Sequence, residues 1–263
     1  MVLKPKSHLA VGMAERGVIV DDEAGLRANF APYRIPAAAT ALQQRYPELG
    51  RPLLQRYLPS ASHGVYSVSG YKDADAGIVA ALVSVKREQW PPGTGVSTLQ
   101  RSCRDECVLR RGLKTVDRLL SRGLFELELV VEGDTVLAIE LNPRAFGFIA
   151  LDIALGNDLP WLWYRSTLAP LPSEPPVLSA DVLEWRLPLP FHAAHWVAFA
   201  LGPHRGRELR DYLGALRRPS ITAFGAWRDP LPKLMSTLQL LRHPGALVRP
   251  FARQRRRRDD GRE

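Results

Sequence analysis

The stretch GLFELELVVEGDTVLAIELNPR, residues 123–144, carries the clearest structural signal in this sequence. Two short runs rich in Leu, Val and Ile flank a turn at 132–134, whose Gly133 can adopt a positive φ. Apolar runs on both sides of such a turn are typical of a β-hairpin. The pattern therefore predicts two antiparallel strands, at 124–131 and 135–141.

The polar residues of this hairpin fall at positions of the same parity, namely Glu126, Glu128, Glu140 and Asn142. Because side chains alternate between the faces of a strand, each strand carries two of them on one face. If the hairpin folds at Gly133, three carboxylates and an amide converge. Like charges facing one another destabilise a sheet unless a cation lies between them, and a hard divalent cation with oxygen ligands fits this arrangement. The alternative is a solvent-exposed hairpin face, where alternating Glu is common.

The run IELNPR at 139–144 resembles the metal-binding signature of the ATP-grasp enzymes. In that signature a strand with Glu-x-Asn-Pro-Arg pairs with a preceding strand that carries another acidic ligand. The resemblance implies that Glu128, Glu140 and Asn142 bind the Mg²⁺, or Mn²⁺, that bridges the phosphates of ATP. It also implies that Arg144 contacts these phosphates or a reacting acyl phosphate, with Glu126 as a secondary partner in the metal site.

The first residues of the chain extend this resemblance. Val2 to Lys6 reads as a short strand that contains Lys-Pro, and ATP-grasp enzymes have such a strand whose Lys contacts the nucleotide phosphates. A lysine at the end of a strand is a suitable point charge for a polyphosphate. The resemblance therefore implies Lys4 as a phosphate contact, with Lys6 as a second choice.

The segment PLLQRYLP at 52–59 resembles the ATP-grasp hinge strand, which holds the adenine with backbone groups and a few side chains. The resemblance implies nucleotide contacts from Gln55, Tyr57 and Leu58. Family members often have an acidic residue beside that Gln, whereas this chain has Arg56.

Two strand-like segments, 64–72 and 78–85, flank a turn and suit the antiparallel sheet of the second ATP-grasp subdomain. Arg87 follows the second segment, and similar enzymes place a basic residue there. The resemblance implies Arg87 as a contact to phosphate or substrate. The loop at 90–97, with two glycines, is either a phosphate-wrapping loop or a surface turn.

The rest of the chain is mainly helical in pattern, around a proline-rich connection at 170–190. Three histidines, His192, His195 and His204, have no acidic or cysteine partner at ligand spacing, which favours packing over a metal site. Helices are predicted at 98–122, 145–155, 193–201, 205–216 and 231–241, and a strand at 182–187.

Composition limits the classes of protein that this chain can belong to. Its 263 residues are 46% hydrophobic and 24% charged, which suits a globular chain. No apolar run approaches the roughly 18 residues of a membrane span, and two cysteines, Cys103 and Cys107, suit a reducing cytoplasm. Of the net charge of +9, residues 249–263 carry +4, from seven Arg against three acidic residues. No nucleic-acid-binding module accompanies that run, so specific nucleic-acid binding is not expected.

Together these features predict an α+β chain with an ATP-grasp fold that lacks its N-terminal domain. The predicted division has four parts, namely a partial nucleotide-binding subdomain at 1–57, a C-terminal subdomain with the metal site at 58–165, a Pro-rich and helical extension at 166–248, and a disordered basic tail at 249–263.

The nearest resemblance is to carboxylate–amine ligases similar to the carbamoyl-phosphate synthase large subunit. It implies a Mg-ATP-dependent ligase that activates a small-molecule carboxylate as an acyl phosphate and joins it to an amine. Family members carry a further domain before the Lys-Pro strand, whereas three residues precede Lys4. The sequence thus predicts an incomplete enzyme, with three alternatives: a fragment, half of a split ligase that a separate chain completes, or a longer protein whose start codon is misplaced. The alternative is a non-catalytic binding or interaction protein that keeps the ATP-grasp fold.

Overall fold

The computed structural model describes most of the chain, with gaps. The described residues are 1–5, 18–30, 40–62, 64–90, 96–172, 181–187, 191–192, 195–196, 205–223, 229–232, 234–235 and 238. The chain forms two compact units, Met1–Ser62 with Pro91–Val96, and His63–Trp90 with Ser97–Glu263. Among the described residues no helix has the length and apolar character needed to cross a membrane.

The first unit is built on a small antiparallel sheet. The unit's strands and helices are β1 (Val2–Pro5), β2 (Val18–Ile19), β3 (Pro52–Gln55), α1 (Glu23–Phe30), α2 (Thr40–Arg45) and two 3-10 helices at Pro47–Gly50 and Pro59–Ser62. The strand order in the sheet is β2-β1-β3. Val2 pairs with Gln55 and Lys4 with Leu53, while Leu3, between them, is fully buried.

The second unit is built on a seven-stranded sheet, counted over the described residues. Its strands are β4 (Val65–Asp73), β5 (Gly77–Trp90), β6 (Val96–Ser102), β7 (Gly123–Glu132), β8 (Thr135–Asn142), β9 (Glu184–Arg186) and β10 (Ser220–Thr222). Their order in the sheet is β10-β9-β6-β5-β4-β7-β8. The sheet is mixed, because β10 pairs parallel to β9 whereas β4 pairs antiparallel to β5 and β7. Its helices are α3 (Glu106–Leu119), α4 (Ile149–Ala154), α5 (Leu159–Arg165) and α6 (Arg205–Leu216).

One face of the large sheet packs against α3. The helix begins where the Asp105 side chain accepts a hydrogen bond from the Val108 N–H, at 2.9 Å, a standard N-cap. Val108, Gly112 and Val116 recur every four residues and are buried. They pack over a cluster of sheet residues that includes Val68, Val83, Phe125, Leu127 and Leu129.

The other face of the sheet is divided between apolar and polar residues. At one end, α4 and α5 cover an apolar cluster that includes Tyr71, Leu82, Leu124, Leu151 and Leu159. At the other end the buried side chains are polar, among them Ser67, Ser69, Ser84, Gln100 and Glu126. A buried polar surface of this kind on a central sheet requires a hydrogen-bonding or binding role, since unsatisfied polar groups are costly.

The strands β6, β9 and β10 are held by a buried carboxylate. Glu184, 1% exposed, accepts hydrogen bonds from Arg101 at 2.5 and 2.9 Å, from Arg186 at 2.8 Å and from Arg218 at 3.3 Å. Burial raises the pKa of Glu184, but the hydrogen bonds from Arg186 and Arg101 hold it below its usual value. Residues from the segment predicted as an extension therefore form part of the central sheet.

The α+β class is confirmed, and so is the hairpin at the centre of the chain. The predicted helix from 98 to 122 is wrong in its first part, where Val96–Ser102 is strand β6 and α3 begins at Glu106. Pairing of β6 with β9 determines this, because tertiary contacts override weak local propensity. The predicted helix at 145–155 is confined to Ile149–Ala154, and α5 and β10 are additional elements. Lys6, His204, the loop at 91–95 and the tail at 249–263 lie outside the described residues.

We expect Gly112→Ala to destabilise the protein. A Cβ added at Gly112 would lie 2.6 Å from Val68 Cγ2 and 3.0 Å from Val68 Cβ, and this stiff side chain is fully buried. Overpacking costs about 1–3 kcal/mol, which exceeds the helix-propensity gain of about 1 kcal/mol. Thermal unfolding should show a lower Tm. The matched control is Gly214→Ala in α6, where an added Cβ meets no atom of the described residues within 4 Å apart from the helix's own backbone, and its Tm should rise or stay unchanged. A Tm ordering that places Gly112→Ala above this control would contradict the packing of α3.

Candidate functional site

The register of the hairpin brings its polar residues together through a β-bulge. Next to the turn, Glu132 pairs with Thr135 and Val130 with Leu137, so even positions of β7 face odd positions of β8. Gly133, with φ of +57°, occupies the turn. Continued without change, this register would leave Glu140 on the opposite face from Glu128.

The register shifts between Glu128 and Leu129, with Ile139 as the extra residue of β8. Beyond this bulge Glu128 faces Glu140, and Glu126 faces Asn142. Opposite residues in an antiparallel pair have Cβ atoms about 4.5–5.5 Å apart and share a face. The predicted convergence of three carboxylates and an amide is therefore confirmed, and the bulge is its cause.

Lys86 of β5 contributes the cation of this acidic cluster. Its Nζ lies 2.7 Å from Glu128 Oε1, and the two side chains are 9% and 18% exposed. Lys86 reaches Glu128 across β4, because Val65 pairs with Lys86 and Ser67 with Glu128. An ammonium group thus already balances one of the facing carboxylates.

Glu126 is the buried member of the cluster. Its Oε1 accepts a hydrogen bond from Ser67 Oγ at 2.9 Å, and its Oε2 accepts one from Asn142 Nδ2 at 3.2 Å. Burial, followed by the negative charge of Glu128, raises the pKa of Glu126 above its usual range. Glu126 therefore favours its neutral, protonated form more strongly than an ordinary glutamate does.

Asp152 of α4 lies on the same polar face, fully buried. Both of its carboxylate oxygens accept from Ser69 Oγ, at 3.0 and 3.1 Å, and Ser69 pairs with Glu126 across the strands. Burial raises the pKa of Asp152 from 3.8 to about 8, with a further contribution from the charge of Glu126. Glu126 and Asp152, the two carboxyl groups with raised pKa values, thus lie in the buried part of the sheet face that also carries Glu128 and Glu140.

Arg144 and Asn142 form the outer edge of the cluster. Arg144 is exposed, and its Nη2 donates to Asn142 Oδ1 at 3.1 Å. Glu140 is also exposed. From Asp152 to Glu140 the cluster therefore runs from full burial to open surface, with Lys86 against the carboxylate of Glu128 and Arg144 against the amide of Asn142.

The residues present fit a cation that is shared with a phosphate ligand. Among the described residues no group of three or more His, Cys, Asp and Glu side chains is arranged to hold a metal ion by itself. Mg²⁺, however, is usually bound through one or two carboxylates, with substrate phosphates supplying further oxygens. Glu128 and Glu140, with the amide oxygen of Asn142, meet that smaller requirement.

Arg87 is separate from this cluster. It follows Lys86 directly and is exposed, and side chains alternate between faces along β5. Burial raises the pKa values of Tyr66 and Cys103, and the positive charge of Arg87 offsets part of this rise. Arg87 as a phosphate or substrate contact stays a prediction.

The predicted nucleotide contacts lie in the first unit. Lys4 and Gln55 share one face of the small sheet, since their strand partners are Leu53 and Val2. Tyr57 and Leu58 follow β3 and are half-buried. Their role in nucleotide binding stays a prediction.

Sequence reasoning missed Lys86, Asp152 and the two serines of β4. Lys86 is adjacent to the chosen Arg87, and alternation along β5 separates the two residues onto different faces. Asp152 occupies an apolar helical segment, where a lone acidic residue signals a buried partner. Ser67 and Ser69 alternate with apolar residues in a strand that is buried almost throughout, which marks a polar stripe.

Comparison with known proteins leaves the family open. The sequence matches no protein-family model, and no curated protein matches it. Among solved structures, a single-chain, multi-domain long-chain acyl-CoA carboxylase has 17% identity and a TM-score of 0.32, and the match covers 44% of this chain and 13% of that chain. A phosphoribosylglycinamide synthetase from Anaerococcus prevotii has 9% identity and a TM-score of 0.35, covering 59% of this chain and 36% of that one. The chain therefore spans much less than two thirds of either structure.

We expect stability to fall as the pH rises from about 4 to about 8, with Asp152 as a principal cause. In this window folded Asp152 keeps its proton, up to its pKa of about 8, whereas the unfolded side chain ionises near 3.8. The folded state binds more protons, so raising the pH favours unfolding. Asp152→Asn retains an acceptor for Ser69 and should reduce this slope, with a Tm advantage over the wild type that grows toward pH 8.

Thermal unfolding followed by circular dichroism across this pH range measures the slope. Asp134→Asn, at the exposed turn of the hairpin, is the matched control and should keep the wild-type slope. An Asp152→Asn protein whose Tm changes with pH as the wild type's does would contradict the buried, protonated carboxyl group.

Proposed function

We propose that this chain is a Mg-ATP-dependent ligase-type protein, which activates a small-molecule carboxylate as an acyl phosphate and joins it to an amine. The observation that carries the proposal is the bulge-directed pairing of Glu128 with Glu140 and of Glu126 with Asn142, beside Arg144. A hairpin that only formed the edge of a sheet would not need facing carboxylates, since like charges opposite one another destabilise the strand pair.

The donor set suits a phosphate-bridging cation. Glu128, Glu140 and Asn142 would hold Mg²⁺, or Mn²⁺, and the nucleotide would supply the phosphoryl group and the remaining oxygen ligands. Glu128 is held in place by Lys86, and Asn142 by its hydrogen bonds with Glu126 and Arg144. Side chains positioned in this way need little reorganisation when charge develops on a phosphoryl group.

The cationic side chains have a matching role in the proposal. Arg144, at the exposed edge, has a planar guanidinium suited to bidentate contact with phosphate or acyl phosphate oxygens. The ammonium group of Lys86 can redirect one of its hydrogen bonds from Glu128 to a phosphate oxygen. From the resemblance to ATP-grasp enzymes, Lys4 and Arg87 are further proposed phosphate or substrate contacts.

The nucleotide base would be held by the hinge segment after β3. From the same resemblance, Gln55, Tyr57 and Leu58 are the proposed contacts. Half-buried Tyr57 and Leu58 offer apolar surface for an adenine ring, and Gln55 offers both a donor and an acceptor.

We expect Glu140→Gln to remove the magnesium-dependent part of nucleotide binding. Titration calorimetry of a non-hydrolysable ATP analogue into the 263-residue chain, with and without Mg²⁺, measures this part directly. Loss of one of two carboxylate ligands should weaken it by about tenfold or more, because ligand charge dominates affinity for hard cations. The control Asp134→Asn removes a carboxylate from the same hairpin, outside the cluster, and should bind as the wild type does.

Two results would overturn the ligase proposal. The first is a wild-type chain whose nucleotide binding does not depend on Mg²⁺. The second is a Glu140→Gln chain that binds the analogue with Mg²⁺ as tightly as Asp134→Asn does.

A non-catalytic binding or interaction protein is the second candidate, and the Lys86–Glu128 ion pair favours it. In this alternative the ammonium group permanently occupies the position of a cation against Glu128, 2.7 Å from its Oε1. The cluster would then stabilise the sheet instead of binding a nucleotide.

The variant Lys86→Met separates the two candidates. In both, removal of the ammonium leaves Glu128 unpaired and largely buried, so the Tm should fall, by an amount that corresponds to about 1–3 kcal/mol. In the ligase, a non-hydrolysable ATP analogue with millimolar Mg²⁺ should raise the Tm of this variant more than Mg²⁺ alone does, because the folded state binds the cation together with the nucleotide. A Tm that the analogue leaves unchanged in both Lys86→Met and Lys86→Arg, measured by thermal unfolding, would favour the non-catalytic protein.

A further inference from the structure

Three arginines share a single buried carboxylate where β6, β9 and β10 meet. The Glu184 side chain accepts hydrogen bonds from Arg101 and Arg218 at Oε1 and from Arg186 at Oε2. An ion pair with a purely structural role balances each buried charge, because an uncompensated buried charge is costly. Here three positive charges meet one negative charge, so two positive charges have no ion-pair partner of their own among the described residues.

The protein itself accommodates part of the charge of Arg186. Its guanidinium lies over the ring of Phe191, with Cζ 5.4 Å from the ring centroid. Its Nη2 also donates to the carbonyl oxygens of Ala215 and Arg218, near the C-terminal end of α6, which carries partial negative charge. The buried Nε of Arg186, however, has no acceptor in the described part of the chain. The network therefore has more donors than the protein offers acceptors.

Arg101 and Arg218 are the two accessible arginines of the network. Their side chains are 23% and 47% exposed, whereas the Glu184 side chain is 1% exposed. Both donate to the same oxygen, Oε1 of Glu184, which holds their guanidinium groups close to one another. A guanidinium has five N–H donors, and the described residues engage two from Arg101 and one from Arg218. Several donors of both arginines remain available for a ligand.

Strand β10 adds hydroxyl groups to the same face of the sheet. Ser220 pairs with Glu184 in the parallel pairing of β10 with β9. Thr222 pairs with Arg186 in the same register. Paired residues of neighbouring strands share a face, and both hydroxyl-bearing residues are exposed. The face therefore carries two accessible guanidinium groups and two accessible hydroxyl groups, all of which are donors suited to an oxyanion.

We propose that the Arg101–Arg218 pair, with the two hydroxyl groups of β10, binds the phosphate-monoester group of a small molecule, or free phosphate. A phosphate monoester carries about −1.5 to −2 charges near pH 7, which matches the two positive charges without an ion-pair partner. The planar fork of a guanidinium fits phosphate oxygens in a bidentate manner. A carboxylate or a phosphodiester has one negative charge and balances half of the surplus. Glu184, with both oxygens engaged, positions the arginines.

This phosphate site is independent of the proposed ligase activity. None of its residues belongs to the acidic cluster around Glu128 and Glu140, and it needs neither a nucleotide nor Mg²⁺. Phosphate binding can therefore be measured with the full chain in the presence of a chelator, where the proposed magnesium–nucleotide site does not contribute through its cation.

Titration calorimetry at constant ionic strength tests the proposal. Inorganic phosphate and glycerol 3-phosphate should both bind the 263-residue chain. Dimethyl phosphate, with one negative charge, should bind at least about tenfold more weakly, because it forms fewer charge-assisted hydrogen bonds. Tighter binding of glycerol 3-phosphate than of inorganic phosphate would identify a small-molecule ester as the ligand, and equal binding would identify free phosphate.

Substitutions of Arg218 test the site directly. Arg218→Met should weaken binding of inorganic phosphate by at least about tenfold, because charged hydrogen bonds to the ligand are lost. Arg218→Lys keeps the charge without the fork and should weaken binding less. Glu184 keeps Arg101 and Arg186 in both variants, so both should fold. The matched control is Arg217→Met, which removes the adjacent exposed arginine and should leave binding unchanged.

Three outcomes would overturn the proposal. They are no binding of either phosphate compound, equal affinity of Arg218→Met and Arg217→Met for phosphate, and dimethyl phosphate that binds as tightly as inorganic phosphate. Loss of phosphate binding in Arg144→Met but not in Arg218→Met would place the anion at the acidic cluster and also contradict it. Phosphate binding that depends on Arg218, in a chain that shows no Mg²⁺-dependent nucleotide binding, would support this proposal while the ligase proposal fails.

Discussion

The candidate site depends on one extra residue in one strand. Side chains alternate with a period of two along a strand, so a shift of one position moves every side chain to the other face. Ile139 supplies that shift in β8, and only beyond it do Glu140 and Asn142 face Glu128 and Glu126. Bulges often occur beside functional sites, where they redirect side chains. Here the bulge joins a two-residue turn, whose register keeps the acidic residues apart, to an acidic cluster that needs the opposite register.

The cluster is kept stable in the fold by two different means. On its outer side, Lys86 balances the charge of Glu128 in a partly buried ion pair. On its inner side, Glu126 and Asp152 are deeply buried, and burial raises their pKa values so that the neutral acids are favoured. Hydrogen bonds from Ser67 and Ser69 satisfy these carboxyl groups. A gradient from neutral buried acids to charged exposed ones lets a sheet face carry several carboxyl groups without an internal cation.

The polar face is possible because the opposite face of the sheet is mostly apolar where it packs against α3. Gly112 allows α3 to approach Val68 closely, and the cluster between this helix and the sheet contains fully buried Phe125 and Val116. That dense packing supplies burial energy that the polar face cannot supply. The Glu184 ion-pair network extends the same sheet through β9 and β10, elements that are distant in sequence from the hairpin.

The sequence by itself determined the hairpin, its Gly133 turn, the acidic residues at 126, 128 and 140, and the amphipathic α3, because these follow from local periodicity and turn chemistry. The tertiary structure decided which residues meet. Pairing with β9 made Val96–Ser102 a strand, a bulge aligned the two acidic strands, and folding brought Lys86 and Asp152 to Glu128 and Ser69. Such contacts join residues far apart in the chain, so their burial, charge balance and pKa shifts arise only from the assembled sheet.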